Sequence, residues 1–378
     1  MFLTSYSQVN RLTCYQIINR ITPIIKFVNT PSKDGIYLNI AVLLPLTGKY
    51  SKIGQSVKNS LVLGYYALKM HYIKIHFHDI GSNNKAVKNQ IEKFNFKNID
   101  FILGPIFIEQ IEMIYLLSQK HNVFMISYSN DKRLLDKKGL FVLSISVEEQ
   151  ISHIVSYALC QRYSSIYVIL PNNNNHKNIV NFLKKKYILL VKNILLYKQK
   201  NDQIPKLSNL IMNIKKSINL DIRKSAILIV EDKNNIIEPL KYIQFLHSDH
   251  DIQYKILRIG NWSNKRINTN VSLDSWISDI PYQSIFCFNK KFAAVYQKPT
   301  SRIGAIAYDS LLLLRAITHN INDILIIDFR QLLSIDGYKG ITGIFKFTHH
   351  GNAERIFFVY ELDKFNKFKV ISKIKEFF

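Results

Sequence analysis

The sequence predicts a two-lobed α/β protein in which each lobe is a doubly wound, mainly parallel sheet. Three observations carry this. From Ile36 onward, short apolar runs alternate with stretches of helical periodicity. The same pattern restarts near residue 140. The chain has 378 residues, which suits two or three domains of roughly 100–200 residues each. Hydrophobic residues make up 47% and charged residues 21%, enough for a large core and unlike a disordered chain.

Ile40-Ala41-Val42-Leu43-Leu44 is a near-continuous apolar run, the mark of a strand buried on both faces. The loop Pro45–Tyr50 follows, and then Val57, Leu61, Tyr65 and Leu68 recur at helical spacing. Ile73, Ile75 and Phe77 alternate as a second strand that ends in the turn Asp79-Ile80-Gly81. Val87, Ile91 and Phe94 mark a helix. Phe101-Ile102-Leu103 is a third strand stopped by Gly104-Pro105. A helix over 108–119 leads to a strand over 123–126. Alternation of this kind implies parallel strands with helices on both faces.

Ser146 and Glu149 have the spacing of a capping box and open the second series. Its helix carries Ile151, Ile154, Val155 and Ala158 on one face. Strands are expected at 166–170, 189–196, 226–230 and 256–260, with helices to about Lys186, over 207–218 and over 236–246. Trp276 to Pro281 reads as a short extended connector. Helical stretches follow at 290–297, 303–318 and 329–333. A final hairpin is expected to pair 343–347 with 356–362 across the turn His349-His350-Gly351-Asn352.

The formal net charge is +24, from 51 Lys and Arg against 27 Asp and Glu. The excess is mostly Lys and travels with abundant Ile, Asn, Tyr and Phe, all of which have AT-rich codons. The densest run, Lys184-Lys185-Lys186, ends a helix, where cations suit the dipole. Without a zinc-finger spacing, RNP-like stretch or helix-turn-helix signature, the charge reads as a solvated basic surface and no nucleic-acid partner is expected. Cys14, Cys160 and Cys287 are odd in number and lack short spacing, which argues against a disulfide framework or a zinc site. Cys160 and Cys287 read as small core hydrophobes. Residues 1–34 read as a leader or tail, with no clear signal peptide because Arg11 interrupts the apolar run ahead of Cys14. No stretch of about 20 apolar residues exists, so no transmembrane segment is expected.

The segments Ile40–Gln55, Phe101–Phe107, Ala307–Leu314 and Gly337–Arg355 resemble those of the leucine-binding-protein-like type I periplasmic-binding-protein family. Phe124–Leu134, Ser146–Ala158 and Arg258–Asn264 are similar to its penicillin-binding-protein activators. The resemblance implies a two-lobed type I periplasmic-binding-protein fold with three interlobe crossovers. Lobe 1 would take 35–145 plus 280–340, and lobe 2 would take 146–279 plus 341–378. It also implies a ligand site between the lobes, at the carboxyl ends of the strands.

Candidate cleft residues follow from that placement. Thr47 begins a loop whose backbone N–H groups could face an anion, though an ordinary strand–helix loop explains it better. Gly104 precedes Pro105, after which amino-acid receptors of the family carry a Ser. Here Ile106, Phe107 and Ile108 follow, which suits an α-carboxylate badly. Ser127, Tyr128 and Ser129 close a strand and read equally as ligand contacts or as turn caps. Glu231 and Trp262 would face the cleft from lobe 2, with lobe packing the better reading for Trp262. Asp309 could reach a ligand, but a local hydrogen bond that anchors its own helix is the better reading. His349-His350 reads as a turn, and His76 and His78 as polar strand positions.

No Gly-x-Ser-x-Gly elbow, P-loop, Gly-x-Gly-x-x-Gly or His-Glu-x-x-His motif is present, so the expectation is a protein that is not an enzyme and needs no cofactor or metal. The resemblance implies a periplasmic or cell-envelope activator of a peptidoglycan-synthesising penicillin-binding protein. The alternative is a solute receptor that delivers an amino acid or other small-molecule ligand to ABC transporter membrane subunits.

Overall fold

The computed structural model describes residues 37–92, 94–172, 176–197, 224–230, 254–259, 275–321, 324–362 and 368–372, with residues 25–27, 31–32, 35–36, 212 and 216. The chain divides into two compact units. The first takes Met1–Ile145, Pro281–Ile356 and Phe378, and the second takes Ser146–Ile280 and Phe357–Phe377.

The first unit is built on a parallel five-stranded sheet in the order Ile73–Asp79, Leu38–Leu44, Phe101–Leu103, Phe124–Ser127 and Leu140–Val142. Its central strand shows why the pattern was so apolar. Leu38, Ile40, Val42 and Leu44 point to one face, Ala41 and Leu43 to the other, and all six are buried. On the second face, Ala41, Leu43, Ile102 and Met125 pack with Val87, Ile111 and Ile114 from the helices Asn84–Ile91 and Ile108–Lys120. Elsewhere in the core, Phe124 stacks on Phe329 with ring centroids 3.7 Å apart. The helix Ser51–Ala67 meets Arg302–Ile317 at Gly64, where a Cβ would come within 2.9 Å of Leu311.

Two smaller sheets complete this unit. One is an antiparallel meander of Tyr338–Gly340, Gly343–Phe347 and Ala353–Arg355. The other joins Ile25–Phe27, Ile324–Asp328 and Thr318–Ile321. The segment expected to be a leader or tail therefore supplies a strand, too short at three residues to be read from alternation.

The meander is pinned by a buried carboxylate. Asp309, on the helix Arg302–Ile317, accepts the Ile341 N–H (2.7 Å), the Thr342 N–H (3.0 Å) and the Thr342 hydroxyl. Arg355 donates from Nη1 to Thr342 Oγ1 (2.6 Å) and from Nε to the Ser144 carbonyl (2.9 Å). Gly340 leaves the space that the carboxylate fills, since a Cβ there would lie 2.4 Å from both Asp309 oxygens. Asp309 thus ties its helix to a turn more than 30 residues away, not to a local group as expected. The same network explains why residues 341–356 belong to the first unit, whereas the sequence placed 341 onward in the second lobe.

The second unit holds a seven-stranded sheet in the order Val191–Tyr197, Tyr163–Pro171, Lys224–Val230, Tyr254–Ile259, Ser275–Asp279, Phe358–Leu362 and Phe368–Val370. The first five strands run parallel, and Phe358–Leu362 pairs antiparallel with both Ser275–Asp279 and Phe368–Val370. Its core gathers Ile151, Ile154, Val155 and Ala158 of the helix Val147–Cys160 against Ile166, Val168, Leu228 and Leu257. Ser146 caps that helix, accepting the Glu149 N–H at 3.4 Å.

Three expectations are corrected here. Ser275–Asp279 is an internal strand, not a connector. Only Trp276 and Ile277 in it are apolar, and its buried serines hid the pattern. The hairpin partner of Gly343–Phe347 is Ala353–Arg355, while Phe358–Leu362 pairs with Ser275–Asp279 in the other unit. Cys160 and Cys287 are exposed. Cys160 lies off the helix face that Ile151, Val155 and Ala158 define, and Cys287 lies off the Phe288–Phe292 face of the helix Tyr282–Tyr296. The expected helices over 207–218 and 236–246 fall largely outside the described residues.

Burial pushes the Asp309 carboxyl up to about 6 despite Arg355 and the donors from Thr342 and Ile341. A carboxyl raised in the fold contributes stability that is complete below its ordinary value and is lost as pH rises through about 6. Asp309→Asn removes this titration, so its melting temperature should gain on the wild type as pH rises from about 4 to about 6 and then hold a constant difference. Asp309→Ala leaves the Ile341 and Thr342 N–H groups and the Thr342 hydroxyl without their acceptor and should cost at least about 2 kcal/mol. Thermal unfolding across pH checks both, and a wild-type-to-Asn difference independent of pH would contradict the assignment.

Candidate functional site

Ligands of open parallel sheets gather at the carboxyl ends of the strands. In the first unit those ends carry Pro45–Ser51, Gly104–Phe107 and Tyr128–Asn130, so the structure gathers Thr47, Gly104, Phe107, Ser127, Tyr128 and Ser129 along one edge of one sheet.

Most of the polar groups at this edge are engaged by the chain itself. Asp79, at the end of its strand, accepts N–H groups from Leu46 (2.8 Å), Thr47 (3.2 Å) and Gly81 (2.9 Å). Burial raises the Asp79 carboxyl, but the hydrogen bonds from Thr47, Gly81 and Leu46 outweigh it and hold the group below the usual carboxylate range. Ser82 Oγ accepts the Tyr50 N–H at 3.3 Å and donates to the Thr47 carbonyl at 2.9 Å. The loop does cradle an anion, and that anion is the protein's own Asp79.

Gly104 sits at φ +87°, and a Cβ there would lie 2.5 Å from the Leu43 carbonyl oxygen. Its N–H donates to Ile126. The Tyr128 hydroxyl is buried and lies 2.9 Å from Ser310 Oγ, which in turn donates to the Ala307 carbonyl. Burial pushes the Tyr128 phenol well above its usual range. Ser129 Oγ accepts the Asp131 N–H at 3.2 Å, so this hydroxyl caps the next turn. Ser127 is fully buried, and among the described residues its hydroxyl has no partner.

An aromatic pair stands just past Gly104-Pro105, where the sequence resemblance implied a Ser in amino-acid receptors. Phe107 is half-buried and packs on Tyr50 with ring centroids 4.3 Å apart, and Lys49 lies 5.3 Å from the Tyr50 ring centroid. Phe107 is also the N-cap of the helix Ile108–Lys120, where it supplies no side-chain cap. Tyr50 and Asp79 were not singled out from the sequence. The one available signal was an Asp at a strand end two residues before a Gly.

In the second unit Glu231 and Trp262 lie outside the described residues. Described there is a buried cluster where Ser275–Asp279 ends. Gln150 Nε2 donates to the Ser278 carbonyl (3.0 Å), and Asp279 Oδ1 accepts the Ile280 N–H (2.8 Å). His153 Nδ1 is 3.0 Å from Ser278 Oγ, and burial pushes this imidazole down to about 4. Elsewhere, His350 Nδ1 lies 2.7 Å from Asp136 Oδ1, which fixes the turn against the first unit's sheet. His76 meets Asn39 Oδ1 at 3.0 Å, and His78 packs on the Phe94 ring. No cluster of His, Cys, Asp and Glu fit to hold a metal ion occurs among the described residues.

These placements set two substitutions apart. Gly104→Ala should cost at least about 2 kcal/mol, because the Cβ meets a carbonyl and the backbone is left-handed. Phe107→Ser should change stability by less than about 1 kcal/mol, because a gained helix cap offsets the lost Tyr50 contact. Chemical denaturation checks the pair, and a Phe107→Ser variant as damaged as Gly104→Ala would mean that the aromatic pair is structural.

Residues 36–362 match the model of the LppC putative lipoprotein family. The penicillin-binding protein activator LpoA of Vibrio cholerae is 22% identical over 157 residues, 41% of this chain and 26% of that protein. The structure of full-length LpoA from Haemophilus influenzae matches with a TM-score of 0.67 and 17% identity, covering 89% of this chain and 59% of that one. A branched-chain amino acid ABC transporter periplasmic ligand-binding protein from Burkholderia xenovorans also matches with a TM-score of 0.67, at 13% identity, covering 89% and 94%. The chain spans about half the length, or less, of the curated relatives it matches. The fold is that of type I periplasmic-binding-protein-like structures.

Proposed function

We propose a function from one premise: this chain belongs to the LppC family, whose model matches residues 36–362. The chain is a cell-envelope protein that binds a peptidoglycan-synthesising penicillin-binding protein and raises its activity, without chemistry of its own. Among the described residues, no helix is long and apolar enough to cross a membrane. A V. cholerae relative is named as an activator of a penicillin-binding protein. Fold alone does not separate an activator from a solute receptor, because one fold hosts both.

The observation that carries the choice is the strand edge of the first unit. A receptor for amino acids needs convergent polar groups facing its ligand. Here the N–H groups of Leu46, Thr47 and Tyr50 and the hydroxyls of Tyr128 and Ser129 are engaged by the chain. Phe107 and Tyr50 present aromatic surface in place of a hydroxyl. Such an edge suits apolar protein contact better than an α-carboxylate. An activator works by binding the active state of its synthase more tightly than the inactive one.

The test is a pull-down from cell-envelope extract with this chain as bait, followed by glycan-polymerisation and crosslinking assays on the recovered synthase. The expected result is a bifunctional penicillin-binding protein whose activity rises when the chain is added. Calorimetry with leucine, isoleucine and valine should give no micromolar binding, equivalent to about 8 kcal/mol. Recovery of transporter membrane subunits, micromolar leucine binding and an unchanged synthase would restore the receptor.

A further inference from the structure

The second unit carries a feature that the activator reading does not use. The helix His176–Lys186 ends in Lys184, Lys185 and Lys186, and the turn to the strand Val191–Tyr197 places Ile188 and Leu189 in solvent, 71% and 82% exposed. We propose that this turn is a membrane-contact site, in which Ile188 and Leu189 enter the headgroup boundary of an anionic bilayer while Lys184, Lys185 and Lys192 bind its phosphates.

The helix dipole accounts for lysines in a last turn but not for two adjacent aliphatic side chains left in water. Single exposed hydrophobes are ordinary on a soluble surface. Two in succession, held out on a firm turn, are not. The turn is firm because Tyr187 beneath it is buried, the Leu190 and Val191 N–H groups both donate to the Tyr187 carbonyl, and Lys192 Nζ donates to the Leu189 carbonyl at 3.2 Å. Lys186 leans back, with Nζ on Ser152 Oγ. Among the described residues, Lys184, Lys185 and Lys192 have no acidic partner.

Charge selects the occupant. Between Glu149 and Asp202 the chain has Lys and Arg but no acidic residue, so this part of the second unit is single-signed. An apolar tip ringed by cations is the composition that lies in an interface of anionic lipid. A second copy of the chain docking here by two-fold symmetry would bring the same lysines face to face. A soluble polyanion would use the lysines and leave Ile188 and Leu189 in water.

The test is co-sedimentation of the full chain with vesicles of mixed phosphatidylglycerol and phosphatidylcholine, against phosphatidylcholine alone. Wild-type protein should bind only the anionic vesicles, and less as salt rises. Lys184→Gln with Lys185→Gln should weaken binding about ten-fold or more. Ile188→Ser with Leu189→Ser, which leaves the charge unchanged, should weaken it to a similar degree. Leu189→Trp gives an independent readout, a blue-shifted emission on anionic vesicles, that stands even if the double serine variant fails to fold. Three results would each overturn the proposal. These are no wild-type binding, binding that the serine variant retains in folded form, and a Leu189→Trp emission that vesicles leave unmoved. A free chain that sediments as a dimer dissolved by the serine substitutions would assign the turn to self-association, also overturning it.

Discussion

The buried carboxylate of Asp309 is the constraint on which the first unit closes. Removing a charge from water costs several kcal/mol, and the fold accepts that cost only because three donors and a cation converge on the group. Two of the donors are the backbone N–H groups of Ile341 and Thr342, the third is the Thr342 hydroxyl, and the cation is Arg355. The helix Arg302–Ile317 is thereby fixed to the meander Tyr338–Arg355. Arg355 carries the connection to the Ser144 carbonyl, one residue before the chain leaves the unit at Ile145. Two side chains, Asp309 and Arg355, thus join three segments that are far apart in sequence.

That closure sets what the strand edge of the first unit can do. Ser310, one residue after Asp309, holds the Tyr128 hydroxyl and removes it from solution. Asp79 and Ser82 do the same for the loop that follows the central strand. The edge is engaged with itself, and Phe107 and Tyr50 pack their rings together there. Protein contact is the use we propose for such a surface, and the V. cholerae relative is named as a penicillin-binding protein activator.

Much of the fold was legible because burial on both faces leaves a run of apolar residues that no other element explains. Ile40–Leu44, Phe101–Leu103 and Ile166–Leu170 all lie within strands of the parallel sheets. Ser275–Asp279 escaped because three of its five buried positions are Ser275, Ser278 and Asp279, whose polar groups read as surface. The break between Ala353–Arg355 and Phe358–Leu362 escaped because both pieces are β and the chain changes unit between them. Site positions were legible as strand ends, since Gly104 and Ser127 each stop an apolar run. Their partners were not, because the contacts are distant in sequence: Leu46 to Asp79 spans 33 residues and Tyr128 to Ser310 spans 182. Hydrophobic period reports which face is buried and says nothing about which polar group arrives from elsewhere.

Residue-resolved amide hydrogen exchange under native conditions tests the central role of the Asp309 network most directly. The amides of Ile341 and Thr342 sit in a turn, where exchange is ordinarily fast. If Asp309 closes the unit, they exchange as slowly as Ile40 and Val42 in the central strand, by way of the same opening. In Asp309→Asn they should lose that protection by at least about ten-fold, while the central strand keeps its own. Fast exchange of Ile341 and Thr342 in the wild type, beside a protected strand, would contradict the account.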